Sequence, residues 1–379
     1  MLFSFRKFLF SALLIFAFNF NLTAQALSAQ AKITLLTCGS GDELYSVFGH
    51  TAIRVNDPNS GMDTVYNFGT FDFDTPNFYL KFVKGDLQYY VSVSSYKEFV
   101  YQYQYYDRDV FEQELNLTSK QKQDIANELN SILLSDRKFY TYKFIDRNCT
   151  TMVRDIINKT LPEKISNKNS DSGLTNREII YSYLKENHFY ENLGIHLMFG
   201  ARTDIIPDKP FLPKHLMEGV AFTKNGSMPL AKNNETVYSR QQKASSPWWN
   251  NIYTFSLAIA ILAFFTRYKI AMQTYMAIAG LLGVFFLTVG FYSFHSEITL
   301  NYNALLLNPI FIIMLILNIM QHQKILRLVT CACIACNVVY VFVMLNKPHF
   351  AIIIPLIFLH TVIFWRILKT QFKPFNNKS

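Results

Sequence analysis

From residue 248 onward, apolar segments follow one another almost without a break, at 248–266, 270–294, 304–320, 325–345 and 350–368. Each approaches the roughly 20 residues that a membrane-spanning helix needs. A backbone surrounded by lipid must satisfy its own polar groups, so runs of this kind can only be helices. They predict an all-α five-helix transmembrane domain over 248–379. The residues before Pro247 are too polar to share that environment, so the chain is a two-part molecule, consistent with 50% hydrophobic residues but a mean hydropathy of only +0.12.

The flanking charges give a direction. Arg267 with Lys269, and Lys324 with Arg327, lie in connections that alternate with 295–303, which has no Lys or Arg, and the tail adds Arg366, Lys369, Lys373 and Lys378. The positive-inside rule puts these groups in the cytoplasm and the region before Pro247 outside; only Lys347 disagrees. Trp248 and Trp249 suit the outer interface. At the N-terminus, Arg6 and Lys7, an apolar run over 8–18 and the small-residue site Ala24-Gln25-Ala26 read as a signal peptide over 1–26. The apolar run is short for an uncleaved anchor. The expected layout is a signal peptide, an extracytoplasmic domain over 27–237, a polar linker over 238–247, and five spans in a bacterial inner membrane with a cytoplasmic C-terminus. The net charge of +9 is explained by topology and anionic lipid, and an exported domain excludes nucleic acid as a partner.

In the outer region, 33–36, 51–55 and 62–68 read as strands, the last two joined by the turn formers Asn56-Asp57-Pro58-Asn59-Ser60-Gly61. A turn centred between Pro58 and Asn59 sets Asn67 opposite His50, with Tyr66 on the other face. The segment 70–106 is aromatic without a clear period, and 110–117 is strand-like. Thr118 and Gln121 form a capping box for a helix to about Leu134, and a second helix starts at Cys149 and stops before Pro162. The stretch 166–175 reads as a loop before a helix over 176–187.

Cys149 at a helix N-terminus feels the positive end of the dipole and nearby backbone N–H groups, which favour thiolate, and Arg147 adds to that. His50 at a strand start is the candidate base, and Asn67 the candidate orienting group. Alternatives stay open from the residues alone. Cys149 and Cys38 form a disulfide in one reading; His188, His196 and His215 are rival histidines. Asp72, Asp74 and Asn77 lack an EF-hand's spacing and read as a turn. Cys331, Cys333 and Cys336 read as packing residues, and no motif demands a metal or organic cofactor.

Four outer segments carry a resemblance: Ser46-Val47-Phe48-Gly49-His50-Thr51-Ala52-Ile53-Arg54-Val55, Tyr66-Asn67-Phe68-Gly69-Thr70-Phe71-Asp72-Phe73, Arg147-Asn148-Cys149-Thr150-Thr151 and Phe211-Leu212-Pro213-Lys214-His215-Leu216. They resemble the N-terminal periplasmic domain of the Lnb-type lipoprotein N-acyltransferases. His295-Ser296-Glu297-Ile298-Thr299 and 301–309 are similar to that family's membrane region. The order His then Cys also resembles circularly permuted papain-like (NlpC-type) domains, including relatives of lecithin:retinol acyltransferase.

The resemblance implies an α+β permuted papain-like domain with Cys149 as nucleophile and His50 as base. The implied reaction moves an acyl chain from a phospholipid donor, through a thioester, to the α-amino group of a diacylated lipoprotein. Arg54, Asn148 and His295 are the expected substrate contacts. Glu297, Asn301 and Asn303 line the entrance or cap two helices, and the aromatic residues Phe78, Tyr79, Phe82, Tyr89 and Tyr90 either wall a lipid groove or pack a core. The competing readings are a tethered cysteine amidase or peptidase acting on cell-wall peptides, and a non-catalytic membrane scaffold.

Overall fold

The computed structural model describes residues 26–167, 173–242 and 246–369. The signal-peptide expectation, the middle of the 166–175 loop, and Lys373 with Lys378 lie outside the described residues.

Strands β1 (Lys32–Cys38), β2 (His50–Asp57) and β3 (Met62–Thr70) form the centre of an antiparallel sheet. Helix α1 (Phe78–Lys84) then leads to β4 (Gln88–Ser95), and α2 (Tyr96–Tyr105) to β5 (Val110–Leu115). After α3 (Ser119–Leu133) come the short β6 (Phe139–Thr141) and α4 (Cys149–Thr160). Helices α5 (Asn176–Leu184), α6 (Phe189–Met198) and α7 (Pro213–Phe222) follow, then the two-residue pair β7 (Lys224–Asn225) and β8 (Met228–Pro229), and the edge strand β9 (Ala231–Tyr238). The main sheet runs β6-β4-β3-β2-β1-β5-β9.

Alternation along the strands sends side chains to two cores. Ile33, Leu35, Ile53, Val55, Tyr66 and Phe68 meet α3, α4 and α7 on one face; Leu36, Cys38, Ala52 and Val65 meet Phe99 and Tyr103 of α2 on the other. The expected capping box is present, with Thr118 accepting from the Gln121 N–H and Gln121 reaching back to Thr118. The 238–247 region is less free than a linker: Arg240 pairs with Asp42 and donates its N–H to Asp109, and the N–H groups of Gln241 and Gln242 donate to Asp107.

The hairpin turn sits one residue later than the sequence predicts. Asp57 pairs with Met62, so Asn67 lies opposite Ala52 rather than His50. Asp57 is pinned as the last paired residue because its carboxylate accepts from the Ser28 N–H and hydroxyl and from the Asn59 N–H. The displacement is two positions, so His50 and Asn67 stay on one face.

The C-terminal part consists of α8 (Ile252–Phe265), α9 (Lys269–Tyr292), α10 (Ile310–Ile319), α11 (Gln323–Met344) and α12 (Phe350–Lys369). Among the described residues, four stretches are long and apolar enough to cross a membrane: Lys269–Tyr292, Ser296–Ile319, Gln323–Met344 and Phe350–Lys369. The first expected span is shorter. Asn251 caps α8 by accepting from the Tyr253 and Thr254 N–H groups, which leaves 14 helical residues, about 21 Å at the α-helical rise. The stretch Ser296–Ile319 is a broken helix, with two short 3₁₀ turns before α10. Its interruption is satisfied by side chains, as non-helical backbone in lipid must be. Asn308 donates to the Leu305 carbonyl and accepts from the Ile310 N–H. Gly283 of α9 lets this backbone approach, since a Cβ there would lie 2.5 Å from the Leu307 carbonyl oxygen.

Three connections of the helical part touch the sheet-bearing domain: 248–250, 293–303 and 345–349. Asn250 accepts from the Tyr190 N–H and donates to Glu191. Lys347, the one charge that opposes the expected topology, pairs with Asp204 at 2.8 Å. The tyrosine hydroxyl of Tyr340 donates to Asn303, whose amide in turn donates to the carbonyls of His196 and Leu197. Of the three helix cysteines, Cys333 is packed against Asn308, whereas Cys331 is exposed.

Candidate active site

The nucleophile candidate is held by its own helix start. Asn148 is the N-cap of α4: its side-chain oxygen accepts from the Thr151 N–H at 2.9 Å, and its own N–H donates to the Thr151 hydroxyl at 2.8 Å. The Asn148 amide also donates to the carbonyls of Phe144 and Phe211. Both polar atoms of that side chain are engaged in holding the start of α4, where Cys149 stands. The buried Thr150 and Thr51 hydroxyls lie 3.0 Å apart and tie the helix to β2.

The sheet opens where Cys149 arrives. Pairing of β2 with β3 ends at Ala52 and Asn67; beyond it β3 bulges, and Gly69 takes φ 95, a left-handed conformation that favours glycine. A Cβ on Gly69 would stand 3.7 Å from the Cys149 Cβ and 3.8 Å from the Tyr140 hydroxyl. The main-chain N–H of Thr51, one residue after His50, faces the sulfur through this opening.

His50 and Asn67 lie on the α2 face of the sheet, and Cys149 reaches the opening from the α4 side. The His50 Nε2 is 3.3 Å from the Asn67 side-chain oxygen, and the imidazole stacks 6.3 Å from the Tyr103 ring. Among the described residues no hydrogen bond joins the ring to the sulfur, whose side-chain partner is the Thr150 hydroxyl at 3.9 Å. Catalytic hydrogen bonds are commonly long before substrate arrives.

Burial decides the protonation states. It pulls the His50 pKa down to about 4, assisted by the Arg108 charge and opposed by the Asn67 bond. The Cys149 thiol is also raised by burial, against the backbone N–H groups of Thr51, Thr150 and Cys149, which favour the thiolate. The helix-start effect expected from the sequence is therefore present but outweighed. Arg147 contributes elsewhere, with its guanidinium over the Tyr140 ring at 5.4 Å. The resting pair is neutral thiol and neutral imidazole.

Cys38, cross-strand from His50, is a free thiol, as is Cys149. Burial pushes Cys38 up to about 12, so it is inert beside the half-buried Cys149. The alternative reading, a disulfide between these two cysteines, is not what the structure holds. Arg54 is also removed from the site: it makes a two-point contact with Asp63, pairs with Glu112 at 2.8 Å and lies 3.5 Å over the Tyr96 ring. His295 is bonded to the carbonyl of Phe82 at 2.9 Å and stands at the domain junction. Of the rival histidines, His196 is buried against Arg177 and stacked on His349, and His215 is buried between aromatic rings.

Sequence reasoning missed two groups, and for a third, Glu297, it missed the partner. Tyr140 is 2% exposed and its hydroxyl faces the Gly69 opening, yet it sits in a three-residue strand with no period to read. Arg108 is fixed by two bonds to the Gly39 carbonyl and directs its charge toward His50. Glu297, from the membrane part, accepts from the Ile145 N–H at 2.8 Å, and the Ser296 hydroxyl donates to Asp146. The loop that delivers Cys149 is thus gripped by the connection that follows a membrane span.

Fold and site together define a class: an antiparallel α+β domain, docked on long apolar helices, with a cysteine at a helix start beside an opening in the sheet and a histidine on the sheet's other face. Residues 19–187 match the family model described as the Lnb N-terminal periplasmic domain. That part of the chain is similar to such a domain, and among the described residues it is followed by four stretches long and apolar enough to cross a membrane. No curated protein and no solved structure matches the chain.

Proposed function

We propose that the protein is a lipoprotein N-acyltransferase of the bacterial inner membrane, working through a Cys149 thioester in a permuted papain-like domain. The observation that carries this reading is the bond between the nucleophile's own loop and the chain leaving a membrane span, Glu297 to Ile145 at 2.8 Å. A cysteine mounted this way faces substrates that are themselves anchored in the bilayer, which raises their effective concentration.

In the first step, His50 takes the Cys149 proton as sulfur attacks the ester carbonyl of a phospholipid. The C–O bond breaks, and the imidazolium returns the proton to the departing lysophospholipid. In the second step, the α-amine of a diacylglyceryl-cysteine attacks the thioester; a C–N bond forms, the C–S bond breaks, and His50 carries the amine proton to the sulfur. The Tyr140 hydroxyl and the N–H groups of Thr51 and Thr150 are the donors for the oxyanion, each worth about 3–4 kcal/mol in comparable sites.

The orientation follows from the same reading. Taking α8 as a fifth crossing, thickened by the Trp248–Trp249 turn at its outer end, puts Arg267, Lys269, Lys324, Arg327 and Arg366 in the cytoplasm with the C-terminus. Lys347 then lies outside, neutralised by Asp204.

The test is the mass of lipoprotein N-termini from a strain whose only copy carries Cys149→Ser. The expected result is diacylated lipoproteins in place of triacylated ones. Unchanged triacylation in that strain rejects the assignment.

A further inference from the structure

None of the seven residues of α1, Phe78-Tyr79-Leu80-Lys81-Phe82-Val83-Lys84, is buried. Tyr79 is 76% exposed, Leu80 68%, Phe82 44% and Val83 36%, and Phe73 just before the helix is 58% exposed. Contiguous apolar surface of this kind marks a docking site.

The position of α1 specifies what docks. Its C-terminal carbonyls are bonded to the chain emerging from the span Lys269–Tyr292: the Ser293 hydroxyl donates to Val83 at 2.7 Å, the Phe294 N–H to Lys84 at 2.7 Å, and the His295 ring to Phe82 at 2.9 Å. Phe291, Tyr292 and Phe294 are themselves exposed. The helix is therefore within one hydrogen bond of the level at which α9 leaves the hydrocarbon, where aromatic side chains settle. Its charge does not compete with that placement. Lys84 pairs with Asp86 at 2.5 Å, and the segment 72–86 carries Asp72, Asp74 and Asp86 against Lys81 and Lys84, a net charge of −1.

Inward from α1, a column of rings leads toward the thiol. Phe78 meets Phe71 at 5.9 Å, Phe71 meets Tyr89 at 5.1 Å, and Tyr89 meets Tyr140 at 6.4 Å. Tyr140 ends the column at the Gly69 opening beside Cys149.

We infer that α1 dips into the outward leaflet of the bilayer that the protein's own helices cross, and that an acyl chain of a membrane lipid enters the site along the Phe78, Phe71, Tyr89 and Tyr140 column. This rests on the acyltransferase reading for its second half, and on exposure and bonding alone for its first. Because the patch is near charge balance, binding depends on hydrocarbon contact and responds little to anionic headgroups.

The experiment uses the full chain in phosphatidylcholine vesicles. A Leu80→Trp variant is compared with the parent, whose three tryptophans are subtracted, using phosphatidylcholine brominated at mid-chain. Quenching of the added indole is expected; an indole untouched by brominated chains but quenched by aqueous acrylamide overturns the docking. The double variant Leu80→Asp with Phe82→Asp should then form the Cys149 thioester about tenfold more slowly from bilayer phospholipid. Its rate with the water-soluble donor p-nitrophenyl butyrate should match the parent's. An undiminished bilayer rate, or equal loss with both donors, overturns the role of α1 in delivery. Quenching of Leu80→Trp with no thioester on the parent from either donor retains lipid docking and rejects the acyltransferase reading instead.

Discussion

The sheet-bearing domain meets the membrane part along two seams of opposite character. On one side Arg177, fully buried, donates to Asp204 at 2.7 Å, to the carbonyls of Phe199 and Gly200, and to the His196 ring, while His196 stacks on His349 at 4.6 Å and Lys347 closes the cluster on Asp204. On the other, beside Cys149, the contacts are bonds between side chains and main chain that join α1 and the 143–146 loop to 293–297, with exposed rings around them. The buried seam fixes the two parts as one body. The second seam transmits that fixed position to the nucleophile while leaving α1 open to its surroundings. Rigidity and access are thus divided between two edges of one interface.

The largest effect expected from breaking this division is at the buried seam. Arg177→Met leaves Asp204 with Lys347 alone and takes the guanidinium from the Phe199 carbonyl and the His196 ring, and should cost about 3–5 kcal/mol, read as a fall in thermal stability in detergent. Ser293→Ala at the open seam should cost at most about 1 kcal/mol. Similar losses at both would erase the distinction.

Next in size is the chemistry that the open seam supports. Tyr140→Phe should lower the rate of thioester formation about 10²-fold with no loss of folding, because it removes one oxyanion donor. Glu297→Ala should lower it about tenfold by releasing Ile145, whereas Glu297→Gln, which keeps a side-chain acceptor, should stay near the parent. Equal behaviour of the two Glu297 variants would mean that the loop is not held by this bond.

The pH dependence is a finer probe. With its pKa down to about 4, His50 stays neutral through mildly acidic conditions, so the acid limb of thioester formation should lie near pH 4 and not near 6.5. Arg108→Met should move that limb upward, since the Arg108 charge is the second cause of the shift after burial. The same depression makes His50 a stabilising group when neutral: the unfolded chain binds its proton first, so this contribution is complete above about pH 6.5 and is lost as pH falls toward 4. The smallest effect is expected from Lys347→Met, under about 1 kcal/mol, because Asp204 keeps Arg177 as its partner.

Some of this was written in local sequence. Cys149 as the first residue of a helix follows from the Asn148 cap and the spacing of Val153, Ile156 and Ile157, all buried. The hairpin was legible to within one residue, and its error came from Ser28, a distant partner that sets the last pair at Asp57. Elements without a period were not legible. Helix α1 has no buried face to read, and β9, Ala231–Tyr238, is an edge strand whose polar residues face solvent. The thiol's protonation depends on burial supplied by other elements, so the helix-start argument alone gave the wrong sign. Lys347 could be understood only from Asp204, far along the chain.

The most direct measurement is the intact mass of the purified full-length protein after incubation with phosphatidylcholine vesicles in the absence of an amine acceptor. The account predicts one added acyl group, released by neutral hydroxylamine as a thioester is, and absent from Cys149→Ser. A parent chain that stays unmodified, or an acyl adduct that persists in Cys149→Ser, would contradict it.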